Sequence, residues 1–314
     1  MSTVTVAIPV RNAGAVLERT LAAVRAQRLE REVELLVCDS GSRDGSVAVA
    51  RQYGAGVIEI APERFSHGGT RQLLMERSAG AHVAFLTQDA VPADEQWLAS
   101  LLAGFALADD VGLVFGPYRP QTGASPMVAR ELGDWFRSFS PDGAPRLDRL
   151  APGERGIPAR DLLGPRGFFT DANGCVARSA WETVPFQPVP YAEDHVLAHD
   201  MLRAGYAKVY TPEAAVIHSH EYSGWEWLRR SFDEARALRA VYGFVEPVAP
   251  LKVWGLVGAD WRFAGGVRGA PRPGAGLLAR STVHHAARAT GAVLGSRADR
   301  LPPALALRLS LESR

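Results

Sequence analysis

The sequence predicts an α/β protein built on a mixed, mostly parallel sheet with helices on both faces. Three observations carry that expectation. Over the first ~120 residues, short valine-rich apolar runs alternate with segments of helical period, the pattern of a sheet wound with crossover helices. Acidic and glycine-rich signals fall just past the ends of those runs, where such sheets place their ligands: VCDSGSRDGS at Val37–Ser46, FSHGGTR at Phe65–Arg71 and FLTQDA at Phe85–Ala90. With 314 residues, 47% hydrophobic and 22% charged, the chain is long enough for one large globular domain and an appendage.

The elements follow in order. Val4–Val10 is an apolar run dense in valine and reads as a strand buried on both faces. Ala15–Ala26 sets Val16, Leu21 and Val24 among Glu18, Arg19 and Arg25, a helix. Val33–Cys38 is the second strand, Gly45–Tyr53 the second helix and Val57–Ala61 a shorter third strand. Thr70–Ser78 reads as helix, His82–Thr87 as strand, Glu95–Ala106 as helix and Val111–Phe115 as a fifth strand. Ser140–Gly167 is rich in Pro, Gly, Arg and Asp and reads as a long loop, either a mobile lid or an insertion. Ala172–Val176 and Ala214–Ser219 are strands, with Glu193–Leu202 a helix between them. Ser231–Val241 is a charged helix, Gly255–Gly276 a linker and Leu277–Leu294 an amphipathic helix. The division expected is a domain over residues 1–242 and a basic helical appendage over 243–314.

Bulk properties exclude several classes. A net charge of +1 gives no global field for nucleic acid. No stretch reaches the ~18 uncharged apolar residues of a membrane span, and the N-terminus enters its first apolar run directly, so a cytoplasmic protein is expected. Cys38 and Cys175 both lie in apolar runs and read as buried reduced thiols.

The chemistry is expected where the strands end. Asp39 closes a buried strand and can accept from a ribose hydroxyl or a base edge. Asp44 suits the N-cap of the following helix. Gly68 and Gly69 precede a helix, so bare backbone there lets a phosphate approach helix N–H groups, with His67 and Arg71 adding charge. Asp89 follows a strand directly; it either holds Mg²⁺ or Mn²⁺ together with substrate phosphates or caps a helix ahead of Pro92. Glu193 and Asp194 open a helix after Pro188 and Pro190, as dipole partners or with one of them a general base. His218 and His220 alternate on an expected strand, where one completes a metal or diphosphate site or both are structural.

Six runs together, IPVRN at Ile8–Asn12, VCDSGSRDGS, FSHGGTR, TQDA at Thr87–Ala90, AEDH at Ala192–His195 and VIHSHEYS at Val216–Ser223, resemble the family 2 inverting glycosyltransferases of GT-A fold. Within them the chain looks most like the bacterial rhamnosyltransferase-like members, on FSHGGTR and HSHEYS. The resemblance implies a nucleotide-sugar donor, dTDP-rhamnose or a UDP-sugar, a divalent metal, and a saccharide or lipid-linked saccharide acceptor in polysaccharide biosynthesis. It implies that Pro9, Arg11 and Asp39 border the nucleoside. His67, Gly68, Arg71 and Gln88 join the nucleotide-binding set. Asp89 stands for the metal-binding aspartate of the DxD element, with His218 near the metal and diphosphate. Asp194 is implied as catalytic base, with Glu193 beside it contacting a sugar. The DxD position reads Thr87-Gln88-Asp89, so its first acid is missing.

Two other classes are weighed. A nucleotidyltransferase needs a basic glycine-rich loop near the N-terminus, and Val10–Gly14 has one glycine and no lysine. An inactive interaction module would have no need of both Asp89 and Asp194. From Ser223 onward, fourteen Lys/Arg stand against seven Asp/Glu, with Trp225, Trp227, Trp254 and Trp261 among them. This segment either rests on an anionic membrane as a peripheral contact, or packs on the core or makes a homo-oligomer.

Overall fold

A computed structural model describes residues 3–189, 191–266 and 273–311, which form two compact units. The first runs to Arg119 and takes in Trp135–His218; the second comprises Pro120–Asp134 and the residues from Ser219 onward.

In the first unit the strands are β1 (Val4–Val10), β2 (Val33–Asp39), β3 (Gly56–Glu59), β4 (His82–Leu86), β5 (Val91–Pro92), β6 (Val111–Phe115), β7 (Tyr118–Arg119), β8 (Arg146–Asp148), β9 (Asn173–Ala177), β10 (Ala207–Tyr210) and β11 (Val216–Ile217). Eight of them make one sheet in the order β3-β2-β1-β4-β9-β6-β10-β8, and β5-β11-β7 make a small second sheet. Pairing is parallel from β3 through β4 and between β6 and β10; β9 and β8 run antiparallel to their neighbours. The parallel pairing expected from the alternation is therefore present in β3-β2-β1-β4 and β6-β10, and with antiparallel β9 and β8 the sheet is the mixed, mostly parallel one that the GT-A resemblance implies. The chain leaves β1 toward β2 and β3 on one side and returns as β4 on the other, which opens a crevice past the carboxyl ends of β1 and β4.

Local chemistry explains the register. Val4, Val6, Ala7 and Ile8 are fully buried, as a strand covered on both faces requires. Pro9 lacks an N–H, and it falls where β1 is paired to β2 alone, since the ladder to β4 ends at Ala7 opposite Phe85. The helices are α1 (Gly14–Arg25), α2 (Ser46–Gln52), α3 (His67–Arg77), α4 (Trp97–Gly104), α5 (Pro126–Arg137), α6 (Arg178–Thr183), α7 (Glu193–Ala204), α8 (Gly224–Tyr242), α9 (Pro250–Gly266), α10 (Ala275–Gly295) and α11 (Pro303–Leu309). Each expected early helix is found within a few residues of its predicted span. Cys38 and Cys175 are buried free thiols, and burial together with the neighbouring Asp39 carboxylate pushes Cys38 up to about 11.

Three expectations are corrected. The stretch Ser140–Gly167 is pinned rather than loose: β8 pairs with β10, and Asp148 accepts from the fully buried Lys208 Nζ at 3.1 Å. Burial lowers that ammonium to about 8 against the pull of Asp148. The strand expected over Ala214–Ser219 shrinks to Val216–Ile217, so His218 and His220 do not alternate along a strand. Gly255–Gly276 is not simply a linker. Helix α9 continues to Gly266, and the remaining 267–272 lie outside the described residues.

The second unit is helical. Helix α8 begins earlier than its charged core indicated because Ser223 and Glu226 close a capping box, with Ser223 N donating to Glu226 Oε2 at 2.9 Å. Helix α10 packs on α8 through Gly291 and Gly295, whose bare faces meet the backbone carbonyls of Leu228 and Phe232; a Cβ at either would collide. Among the described residues, no helix is long and apolar enough to cross a membrane.

Candidate active site

The loops after β1 and β2 are stitched together by their own polar groups. Asn12, at φ 47°, donates from its amide to Ser42 Oγ and accepts from Arg43 N, both at 2.8 Å. Ala13 N donates to Ser46 Oγ at 3.0 Å and Gly14 N to Asp44 Oδ2 at 2.8 Å. Asp44 is not the N-cap expected from the sequence but the residue before it, and it ties the two loops together. One oxygen accepts from Ser46 and the other from the first amide of α1, while Gly45 occupies the cap position of α2. The Ser46 hydroxyl draws the Asp44 carboxyl below its ordinary range.

Asp39 sits inside this frame. Its Oδ2 accepts from Gly41 N at 3.0 Å and Ser42 N at 2.9 Å, whereas Oδ1 is buried with no hydrogen-bond partner. A buried carboxylate oxygen without a donor is costly, and a ligand hydroxyl or N–H would satisfy it. Across the crevice, Gln88 clamps the end of β1: its Oε1 accepts from Arg11 N at 2.8 Å and its Nε2 donates to Arg11 O at 3.3 Å. The Arg11 side chain is left exposed at the rim.

Asp89 comes next, its side chain 23% exposed, with His218 Nδ1 at 3.5 Å from Oδ1. His218 is held by its backbone N donating to Arg119 O at 3.0 Å and by an edge contact of its ring with Tyr118, centroids 5.1 Å apart. Tyr118 in turn shares a short hydrogen bond with Thr170. A carboxylate oxygen beside an imidazole nitrogen is a donor pair a divalent cation accepts, so the residues fit a metal. His220 belongs to the second unit, where its ring stacks on Tyr222.

The FSHGGTR run forms the start of α3. Ser66 caps it by accepting from Gly69 N at 3.1 Å. Gly68 is buried against the carbonyl of Gln187, which a Cβ would overlap, so its bareness serves a close backbone approach within the protein. The His67 ring makes edge contacts with Phe65 and Tyr191. Arg71 turns inward. Buried, it pairs with Asp171 and with Glu193 Oε1 at 3.0 Å, and donates to His67 O at 3.3 Å.

Glu193 and Asp194 open α7 directly after Ala192, a non-glycine residue at φ 60°. Such left-handed backbone clusters at functional turns. Glu193 is buried and held by Arg71, whereas Asp194 is only half-buried and accepts from His195 N at 2.8 Å. Desolvation raises the Asp194 carboxyl, with Glu193 adding to the rise and His195 and Arg71 opposing it. Asp171 is raised well above the carboxylate range, by burial first, with Arg71 opposing the rise and Glu193 and Asp194 adding to it.

The two carboxylates thus belong to one path of contacts: Asp89 to His218 to Tyr118 to Thr170, then Asp171 to Arg71 to Glu193, and the adjoining Asp194. Tyr118, Thr170 and Asp171 carry that path and were not among the residues expected from sequence. Their signal is a Thr-Asp pair set between Phe169 and a buried strand, which polar residues seldom interrupt without a partner.

Comparison with known proteins gives a consistent picture. The profile described as Glycosyl transferase family 2 matches residues 5–156. The O-antigen chain rhamnosyltransferase RfbN of Salmonella typhimurium is 32% identical over 235 residues, covering 73% of this chain and 70% of the relative. The O-antigen chain rhamnosyltransferase WbaN of Salmonella anatum is 28% identical over 236 residues, covering 74% and 71%. Among solved structures, a mannosyltransferase from Pyrobaculum calidifontis, in complex with GDP-Man and Mn²⁺, superposes with TM-score 0.56 at 19% identity, covering 97% of this chain and 74% of that one. Glucosyl-3-phosphoglycerate synthase from Mycobacterium tuberculosis, in complex with Mn²⁺, UDP-glucose and phosphoglyceric acid, gives TM-score 0.51 at 20% identity, covering 77% and 80%. The fold is GT-A.

Proposed function

The chain belongs to glycosyl transferase family 2, and from that premise we propose that it moves rhamnose, from dTDP-rhamnose or else another hexose from a UDP-sugar, onto a hydroxyl of a glycan or lipid-linked saccharide with inversion. The rhamnosyl reading rests on the two rhamnosyltransferase relatives. The observation that carries the mechanism is that two runs of contacts, Asp89–His218–Tyr118–Thr170 and Asp171–Arg71–Glu193, meet at the consecutive residues Thr170 and Asp171, with Asp194 following Glu193 in the chain.

In this reading Pro9, Arg11 and Asp39 border the nucleoside, and the open Asp39 Oδ1 accepts from ribose or base. Gln88 acts by fixing the backbone that carries Arg11. His67, at the first turn of α3, adds charge beside the diphosphate. Asp89 and His218 would hold the divalent cation, Mg²⁺ or Mn²⁺, which offsets charge on the leaving diphosphate. Asp194 takes the proton of the acceptor hydroxyl, and its raised affinity for a proton suits it to that task. Glu193, fixed by Arg71, sets the turn that presents Asp194 and borders a sugar.

The setting follows from the same reading. The enzyme works in the cytoplasm, and the exposed Leu251, Trp254 and Trp261 of the second unit rest on an anionic membrane beside a lipid-linked acceptor. Flotation with anionic liposomes checks that contact; a stable dimer that covers these side chains would replace it. For the donor, a panel of nucleoside diphosphates with Mn²⁺ is read by thermal shift, since a ligand of the native state raises its apparent stability. A dTDP-selective rise supports rhamnose, a UDP-selective one supports the other hexose, and no rise with any nucleotide overturns the reading.

A further inference from the structure

Within the second unit lies a buried cluster that the transfer reaction does not use. Glu131 on α5 faces two consecutive histidines of α10: His284 Nε2 is 3.2 Å from Oε2 and His285 Nδ1 is 3.5 Å from Oε1. Both rings are buried. The other nitrogen of His285, Nε2, is 2.7 Å from Asp260 Oδ2 on α9. Asp260 is itself fixed by Arg130 Nε and Ser281 Oγ, each donating at 2.6 Å. Arg288 donates to Glu131 Oε2.

We propose that Glu131, His284 and His285 form a structural site for a borderline divalent cation of the Zn²⁺ class, with Asp260 orienting His285 behind it. Three features of the cluster carry the proposal. First, the donor set is right: two imidazole nitrogens and one carboxylate, with all three ligand atoms within 4.8 Å of one another. Second, the spacing is right. Metal–ligand distances of about 2.0–2.1 Å around a tetrahedral ion put neighbouring ligand atoms about 3.3 Å apart; His284 Nε2 is 3.2 Å from Glu131 Oε2 and His285 Nδ1 is 3.5 Å from Oε1, so each nitrogen has one carboxylate oxygen at that spacing. Third, the outer partners are in place. A ligating histidine almost always donates its second N–H to a carboxylate or carbonyl, and ligating carboxylates are themselves hydrogen-bonded. Asp260 and Arg288 fill those two roles.

The geometry also needs a positive occupant. With its Nε2–H donating to Asp260, a neutral His285 would point a bare Nδ1 lone pair at the Glu131 carboxylate. Either a proton or a metal ion must lie between them. His284 brings a second imidazole nitrogen to the other oxygen of the same carboxylate, where a metal ion would use it as a further ligand.

The test uses the full chain without a histidine tag. Wild type and the Asp89→Ala variant, which lacks the proposed donor-side ligand, should each take up about one equivalent of Zn²⁺ that survives desalting, as tight structural sites do. Co²⁺ in place of zinc should give the visible absorption of a four-coordinate ion in both. Glu131→Gln and His284→Ala should abolish that signal, and Asp260→Asn should weaken the affinity roughly 10–100-fold. Failure of wild type to bind Zn²⁺ or Co²⁺, or binding that disappears with Asp89→Ala, overturns the proposal. Should the ligand variants not fold, nitrogen-detected NMR of zinc-treated wild type decides. Metal-shifted Nδ1 of His285 supports the site, and a ring protonated on both nitrogens overturns it.

Discussion

Each unit of this chain has a buried charged network, and the two are balanced in opposite senses. In the first unit three carboxylates, Asp171, Glu193 and Asp194, gather around one guanidinium, that of Arg71. In the second, two carboxylates, Glu131 and Asp260, are surrounded by Arg130, Arg288, His284 and His285. Burial raises proton affinity there, the neighbouring acids add to it, and Asp171 and Asp194 both move up. In the second network, burial still resists ionisation, but hydrogen bonds and cations outweigh it, so Glu131 moves down and Asp260 falls to about 2. An acid-rich network keeps a carboxylate ready to exchange a proton; a base-rich one locks its carboxylates ionised. The first is suited to chemistry and the second to holding helices together.

The largest effect should come from removing the guanidinium at the centre of the acid-rich network. Arg71→Met leaves buried carboxylates unpaired and is expected to destabilise by about 3–5 kcal/mol, read as a drop in the urea midpoint. Arg288→Met removes one of several cations beside a partly exposed Glu131, so it should shift the midpoint far less. Equal losses would erase the contrast. Next comes Asp194→Asn, expected to lower kcat by at least about 10²-fold, within the range for a general base, while donor affinity is kept. Because the Asp194 carboxyl is raised, the acid limb of wild-type kcat/KM should fall above the ordinary carboxylate range. A variant with normal turnover would remove Asp194 from the mechanism.

How much of this was legible beforehand follows the same division. The strands and helices through β6, the two-residue β5 excepted, were readable because valine runs and helical periods mark them, and Asp39, Asp89 and Asp194 each announce themselves at an element end. Arg71 was legible as a charge but not in its direction. Only the fold reveals that Asp171 and Glu193 receive it, because Asp171 lies 100 residues further along the chain. Strand β10 went unread because Lys208 interrupts a four-residue run, and its burial depends on Asp148 from a loop without period. Helix α9 was obscured by Gly255 and Gly258, which punctuate its sequence; what fixes it is the tertiary hold on Asp260. The base-rich cluster was invisible for the same reason, since its members come from three helices, one of them, α5, more than 100 residues before the other two.

The two networks should also respond to pH with opposite sign. Asp260 has a depressed folded pKa, so its contribution is present above the unfolded value and is lost as pH falls toward about 2. The shift from 3.8 to about 2 amounts to roughly 2 kcal/mol. Asp171 and Asp194 have raised folded values, so the folded state holds their protons longer and stability declines as pH rises through the window above the ordinary carboxylate pKa. Asp260→Asn should therefore flatten the acid-side loss between pH ~4 and ~2, while Asp171→Asn should flatten the decline above it. Denaturant midpoints measured across that range separate the two, and a single shared slope would contradict the opposed balance.

The smallest expected effect concerns the backbone that presents the acid-rich network. Ala192 holds φ 60° immediately before Glu193, a conformation that disfavours a Cβ by roughly 1–2 kcal/mol. Ala192→Gly removes that strain but adds freedom to the unfolded chain, so the net gain in stability should be no more than about 1 kcal/mol. The same substitution loosens the turn that aims Asp194, and kcat should fall severalfold with KM for the donor unchanged. A more stable protein with lower turnover would show that the strain is maintained for orientation. If kcat is unaffected, the Arg71–Glu193 pair alone is sufficient to orient the base, and the left-handed turn is only a consequence of how α7 begins.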